Sequence, residues 1–237
     1  MTMLHFIPYF AGYGSVNTVH LGLSQGLELQ EIPLFNPNDF GQYMIKYKPN
    51  IVLATSACWL SLVNDEKYRN IDLSHFTYAS TGGSPMSIEE EIKINYFLKT
   101  HGSIVPLTKG YGLSEMGGCA IVTIDGYNKI GSSGVIMPGI NAKIKTSSGE
   151  IKDVGKEEIQ GELLLNSDTM TCGKLDGTDI INTIEIDGKK YLIDGEEARI
   201  RPFDEKEFDE RRCYSFLHGI ASYFARKWIP YAFFYDP

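Results

Sequence analysis

Phe76-Thr77-Tyr78-Ala79-Ser80-Thr81-Gly82-Gly83-Ser84-Pro85-Met86-Ser87-Ile88-Glu89-Glu90 reads, in that order, as a strand, a glycine turn and a capped helix. Ser87 and Glu90 have the spacing of a capping box. Ile88, Ile92, Phe97 and Leu98 follow as the helix's apolar positions before Gly102 closes it, and Ser103 to Leu107 is the next strand candidate. Strand, helix and strand at this spacing imply a parallel pair joined by a right-handed crossover.

The same alternation extends upstream. Ser15 to Gly26 places Val16, Val19, His20 and Leu23 on one helical stripe, and Leu27 to Ile32 is a short strand closed by Pro33. Asn36-Pro37 has the pattern of a cap with proline at the first helical position, leading through Phe40, Met44, Ile45 and Tyr47 to Pro49. Ile51-Val52-Leu53-Ala54 is continuously apolar, as in a strand covered on both faces, and Ser56 can cap a helix running through Leu62. Downstream of about Gly117 the character changes. Ala120 to Ile124, Ile140 to Thr146, Gly161 to Asn166, Ile180 to Ile186 and Lys190 to Ile193 are short strands separated by Asp125-Gly126, Ser148-Gly149 and Asp187-Gly188 turns. From Asp204 the chain turns acidic and helical, with Leu217, Ile220, Ala221, Phe224 and Trp228 as a stripe. The fold expected is α/β: a parallel sheet with flanking helices over residues 1–118, a mostly antiparallel β subdomain over 119–201, and a helical tail over 202–237.

Composition bounds the function. At 237 residues the chain suffices for one large domain or two modest ones and buries a core without staples. A formal charge of −8 argues against sequence-independent nucleic-acid binding, which needs a basic face. No apolar run approaches ~18 residues, so no membrane span is expected, and the first residues lack the basic region of a secretory signal. Cys58, Cys119, Cys172 and Cys213 are too scattered for a disulfide framework or a zinc site, which suits a reducing, cytoplasmic compartment. His5, His20, His75, His101 and His218 show no metal spacing, and no Gly-x-Ser-x-Gly elbow is present.

Two segments carry chemistry. After the strand ending at Thr81, Gly82-Gly83-Ser84-Pro85 lets the backbone turn sharply and lets a flat or anionic ligand approach its peptide groups. After the next strand, Gly110-Tyr111-Gly112 holds an aromatic ring able to stack on a base, and Ser114-Glu115 follows with a hydroxyl and a carboxylate suited to a phosphate and its metal ion. Taken alone, each also reads as an ordinary connection between elements.

Together and in this order, the two segments resemble those of the AMP-forming, adenylate-forming ligase superfamily, which includes acyl- and aryl-CoA synthetases. Gly83, Ser84 and Pro85 match its adenine-side turn, Tyr111 the tyrosine that stacks on adenine, and Glu115 the glutamate associated with Mg2+. Ser114 stands where the family has a threonine touching the α-phosphate. Pro8-Tyr9-Phe10-Ala11-Gly12 is similar to its Pro-x-x-His-x-x-Gly segment bordering the acyl pocket, with Ala11 in the histidine's place. Trp59, Tyr9, Phe10 and Tyr13 are candidates for lining that pocket, or for plain aromatic packing. Ile71-Asp72-Leu73-Ser74, Gly131 to Gly139 and Gly161-Glu162-Leu163 match further family segments.

The match is incomplete. The family's ribose aspartate corresponds to Asp179, with Asp176 as fallback, and a solvated turn carboxylate is an equal reading. Its Asp-Arg hinge falls on Asp194-Gly195, without the arginine. No Ser/Thr/Gly-rich phosphate loop ending in lysine is found, and Trp228 to Pro237 resembles the stretch just before the family's Gly-Lys. The resemblance implies ATP or AMP and Mg2+ as cofactors, a small carboxylic acid as substrate, and coenzyme A or another thiol as acceptor. It leaves two expectations: a carboxylate-activating ligase that needs a complementing chain or carrier protein, or a non-catalytic nucleotide- or acyl-adenylate-binding module.

Overall fold

Ile51, Val52, Leu53 and Ala54 are all buried, which a strand achieves only in the interior of a sheet covered on both faces. The computed structural model describes residues 1–123, 129–155, 157–172 and 182–201 and the backbone of 231–234. These fall in two compact units whose main spans are Met1–Ser114 and Glu115–Tyr235.

In the first unit β1 (Thr2–His5), β2 (Glu28–Glu31), β3 (Ile51–Ala54), β4 (Tyr78–Thr81) and β5 (Leu107–Leu113) lie in the order β2-β1-β3-β4-β5, every pairing parallel. The crossovers are α1 (residues 12–24), α2 (Phe40–Tyr47), α3 (Ser56–Asn64) and α4 (Ile88–Thr100). Alternation along the strands divides the core. Leu4, Val52, Ala54, Ala79 and Leu107 pack with Phe40, Met44, Trp59, Leu62, Ile94 and Leu98 of α2, α3 and α4. Met3, Ile51 and Leu53 face the other way, with Leu27, Leu29 and Tyr13. The chain reverses direction across the sheet after β2, so β1 and β3 send their following helices to opposite faces. A crevice at the carboxyl ends of such strands is where open parallel sheets bind ligands.

Four local expectations change. α1 is α-helical at Gly12–Gly14 and Leu21–Ser24 with a π-helical stretch at Ser15–His20 between them. It seats on the sheet through Gly14, Thr18 and Gly22, while the predicted stripe faces outward, with Leu23 63% exposed. Small residues win because the helix runs close: a Cβ on Gly22 would lie 2.6 Å from Leu29 Cδ2. On α4 the capping box forms as expected, but Glu91, Ile94 and Leu98 are buried and Ile88 and Ile92 are about half exposed. Ser56 is the first residue of α3 and not its cap, and β5 continues through Gly110-Tyr111-Gly112, which therefore extend the strand.

The second unit is antiparallel throughout its described pairings. It contains β6 (Gly118–Val122), β7 (Gly134–Ile136), β8 (Asn141–Lys145), β9 (Ile151–Asp153), β10 (Ile159–Asn166), β11 (Thr183–Ile186), β12 (Lys189–Arg201) and β13 (Tyr231–Phe234). Their order is β6-β7-β13-β12-β10-β8-β9, with β11 paired to β12. Asp187 and Gly188 both have positive φ, 52° and 73°, as the predicted two-residue hairpin requires. Asp194-Gly195 lies inside β12, which is far longer than Lys190 to Ile193. Gly195 has φ +80° where the register of β10 against β12 shifts. The stripe from Leu217 to Trp228, Asp176 and Asp179 lie outside the described residues.

Candidate functional site

Four loops gather at the carboxyl ends of the first unit's strands. Gly82 N–H donates to the Ala54 carbonyl at 3.2 Å, carrying the turn after β4 back onto the end of β3. A Cβ on Gly82 would stand 2.9 Å from the Gly110 carbonyl oxygen, so the two glycine segments touch backbone to backbone. Gly83, at φ +74°, turns the chain toward α4. The ring of Tyr13 spans both glycines, lying 3.6 Å and 3.5 Å from the positions a Cβ would take on Gly82 and Gly83, and its hydroxyl donates to Ala54 O at 3.3 Å. No bulkier residue fits at Gly82 without moving the strand beside it.

Ser84 lies in the turn after β4 and bonds to the start of α3. Its Oγ accepts the Ser56 amide at 3.2 Å and pairs with Ser56 Oγ at 2.9 Å, while Ser56 Oγ donates to Pro85 O at 2.9 Å. Thr55, at the N-cap of α3, makes no side-chain cap bond, so Ser84 supplies that acceptor from the turn after β4. Serine 84 is thus a latch between the turn and α3. Nothing in the sequence pairs residues 28 positions apart, so this role was not legible there.

Tyr111 is half-buried at the end of β5, flanked by Gly110 and the exposed Gly112. Two residues earlier, Lys109 Nζ lies 2.5 Å from Glu91 Oε1 of α4, with side chains 10% and 2% exposed. Burial pushes the Lys109 ammonium below its ordinary value, and the attraction and hydrogen bond of Glu91 only partly restore it. Ser114 is exposed, and its Oγ accepts the Gly12 amide at 3.1 Å, joining the predicted acyl-side segment to the predicted phosphate contact. Gly14 explains why that segment can fold so tightly, since a Cβ there would fall 2.3 Å from Pro8 O.

Glu115 is the next residue along the chain and belongs to the second unit. Its carbonyl accepts the Thr171 amide at 2.8 Å, and Thr169 Oγ1 donates to Met116 O at 2.8 Å, so the turn after β10 fixes its backbone. Among the described residues no three His, Cys, Asp or Glu side chains converge. One carboxylate fits Mg2+ nonetheless, because that ion takes one or two carboxylates and completes its octahedron with substrate phosphates and water. Glu115 offers one such carboxylate.

Of the aromatic candidates, Trp59 belongs to the core, fully buried with Nε1 donating to Ser80 O at 3.1 Å, and Tyr9 and Phe10 are exposed. Tyr13 alone reaches the glycine turn. His5, at the end of β1, is buried with Nδ1 2.9 Å from Glu31 Oε2, and Tyr9 donates to the same oxygen at 2.5 Å. Burial raises the Glu31 pKa, but bonds from Tyr9 and His5 and the His5 charge outweigh it, and the carboxyl ends below its ordinary value.

The sequence model of the family described as AMP-binding enzyme matches residues 1–173. Probable 4-coumarate–CoA ligase 3 of Dictyostelium discoideum is 27% identical over 196 residues, covering 82% of this chain and 34% of that protein. The long-chain-fatty-acid–CoA ligase of Bacillus subtilis (strain 168) is 26% identical over 72% of this chain and 30% of its own length. The chain therefore spans about a third of the length of these relatives. The fold is similar to the N-terminal domain of FACL13 from Mycobacterium tuberculosis, with TM-score 0.67 and 18% identity over 99% of this chain and 50% of that one. It is likewise similar to ATP-bound MatB from Rhodopseudomonas palustris, with TM-score 0.67 and 14% identity over 98% of this chain and 39% of that one. No helix among the described residues is long and apolar enough to cross a membrane.

Proposed function

Because this chain belongs to the AMP-binding enzyme family, we propose that it is the nucleotide- and acyl-binding part of an AMP-forming ligase that activates a small carboxylic acid in the cytoplasm. The reaction has two steps. A carboxylate oxygen attacks the α-phosphorus of ATP, the bond to the β-phosphate breaks, and pyrophosphate leaves an acyl-adenylate. A thiolate, from coenzyme A or a carrier protein, then attacks the carbonyl and AMP leaves. Displacement of this kind is accelerated mainly by positioning and by charge on the phosphate oxygens.

The observation that carries the reading is the junction of Gly82-Gly83 with Gly110 and of Gly12 with Ser114, which gathers both glycine turns and the acyl-side segment at one end of the parallel sheet. Tyr111 stacks on adenine between backbone surfaces kept low by Gly82, Gly83, Gly110 and Gly112, with Pro85 fixing the turn's exit and Ser84 its attachment to α3. Ser114 donates to an α-phosphate oxygen, and Asp179 holds the ribose hydroxyls. When bound at Glu115, Mg2+ supplies positive charge to the phosphate oxygens.

A second reading, a non-catalytic nucleotide- or acyl-adenylate-binding module, is favoured by Ala11, which stands in place of the family's histidine. The ligase reading requires a phosphate loop and a catalytic lysine to act together with these residues. Calorimetric titration with AMP tests what the readings share. Tyr111→Ala is expected to weaken AMP by about 5- to 150-fold, the range of a lost base–aromatic stack. ATP–pyrophosphate exchange with a panel of carboxylic acids separates them: exchange abolished by Glu115→Gln supports the ligase, and AMP binding without exchange under any complementation supports the module. No AMP binding at all overturns both.

A further inference from the structure

Gly12 and Ser114 are 102 positions apart, yet the Gly12 amide donates to Ser114 Oγ at 3.1 Å. Gly12 opens α1, and the first amides of a helix have no partner within it. Ala11, at the N-cap, has no side-chain acceptor to offer, so Ser114 caps α1 from across the sheet. Tyr13, the next residue, lies over Gly82 and Gly83. One hydroxyl oxygen thus bonds the first amide of α1, one residue before the ring that covers the glycine turn.

A serine hydroxyl has one proton to donate and two lone pairs to accept with. The Gly12 amide uses a lone pair, so it does not compete with an anion that takes the proton. Ser114 is exposed, and its side chain has three staggered χ1 wells. An acceptor that holds Oγ in the well facing Gly12 removes the other two. It also polarises the hydroxyl so that its oxygen accepts more strongly.

We infer that Ser114 is a positioning residue as well as a phosphate contact, and that nucleotide binding tightens the Pro8-to-Tyr13 segment through the Gly12 amide. The inference rests on the nucleotide reading proposed above. By reciprocity, whatever acid settles against that segment raises nucleotide affinity by the same factor. Serine and threonine both supply the needed oxygen, and alanine removes it without adding bulk.

Amide hydrogen exchange resolved at Gly12, with and without saturating AMP, tests it in the full chain. AMP is expected to slow Gly12 exchange by up to about threefold, the factor set by removing two of three serine wells. The slowing persists in Ser114→Thr and is lost in Ser114→Ala, with AMP raised to saturate each variant. AMP that binds calorimetrically while leaving Gly12 exchange unchanged, or slowing it equally in Ser114→Ala, overturns the coupling and leaves the nucleotide reading intact. Absence of any AMP heat overturns the nucleotide reading and the coupling with it.

Discussion

Lys109 and Glu91 form a desolvated pair whose separation should cost far more than its removal. Their side chains are 10% and 2% exposed and their charged atoms stand 2.5 Å apart. Lys109→Met takes the ammonium away from a carboxylate that water does not reach, which costs about 3–5 kcal/mol. Glu91→Leu removes the carboxylate that Lys109 bonds and is expected to destabilise in the same direction. Replacing both removes the desolvation penalty with the attraction, and the double variant is expected within about 1 kcal/mol of the wild type. Urea unfolding followed by fluorescence of the buried Trp59 is the assay. With a slope of about 2 kcal/mol per molar, each single change lowers the midpoint by roughly 2 M, and the pair restores most of it. The sign of the pH dependence follows from Lys109's depressed value. Between that value and the ordinary lysine pKa the unfolded chain holds the extra proton, so this residue's contribution to stability rises with pH across that window. A single-variant loss below about 1 kcal/mol would refute the description of the pair as buried and mutually dependent.

Ser84→Ala is expected to lower stability by about 1 kcal/mol, the worth of a helix cap, because α3 loses the acceptor for its Ser56 amide. Thermal unfolding unchanged from wild type would show that α3 does not use that cap. Gly14→Ala places a methyl 2.3 Å from Pro8 O at an ordinary helical φ of −75°. Its cost, about 1–3 kcal/mol by denaturant titration, is therefore steric and not conformational. Tyr9 titrates above an ordinary phenol, through its hydrogen bond to Glu31 first, then burial and the Glu31 charge. A raised value stabilises the fold below the ordinary phenol pKa and ceases to as pH rises through the shifted one. Glu31→Gln should bring one tyrosine's ultraviolet titration to lower pH, and the same change in a Tyr9→Phe background would point to another residue.

Period and punctuation carried the architecture. The all-apolar Ile51–Ala54, the Ser87–Glu90 box and the Asp187-Gly188 turn each require only neighbours in sequence, and each formed as read. Faces were harder. On α1 the apolar stripe of Val16 and Leu23 pointed outward because close seating on the sheet selects Gly14, Thr18 and Gly22, and small residues carry no hydropathy signal. On α4 a charged residue, Glu91, is inside because Lys109 meets it from β5, a pairing across elements that periodicity does not encode. For the site, the two glycine segments announced a ligand-facing backbone, whereas the bonds joining Ser84 to Ser56 and Ser114 to Gly12 arise only once parallel strands bring distant loops together.

β13 carries an implication for how the chain is made. Tyr231–Phe234 is inserted between Gly134–Ile136 and Lys189–Arg201, pairing with both. A nascent chain leaving the ribosome has every strand of the first unit once Leu113 has emerged, and that unit's parallel order can form while synthesis continues. The second unit's sheet stays in two halves until residue 234 is out. During that interval β7 and β12 each lack the one described strand that joins them, and an open edge is the kind of surface that recruits a foreign strand. Slowing elongation between Arg201 and Tyr231 is therefore expected to raise aggregation more than slowing it within the first unit, a difference that ribosome-stalling sequences followed by sedimentation would measure.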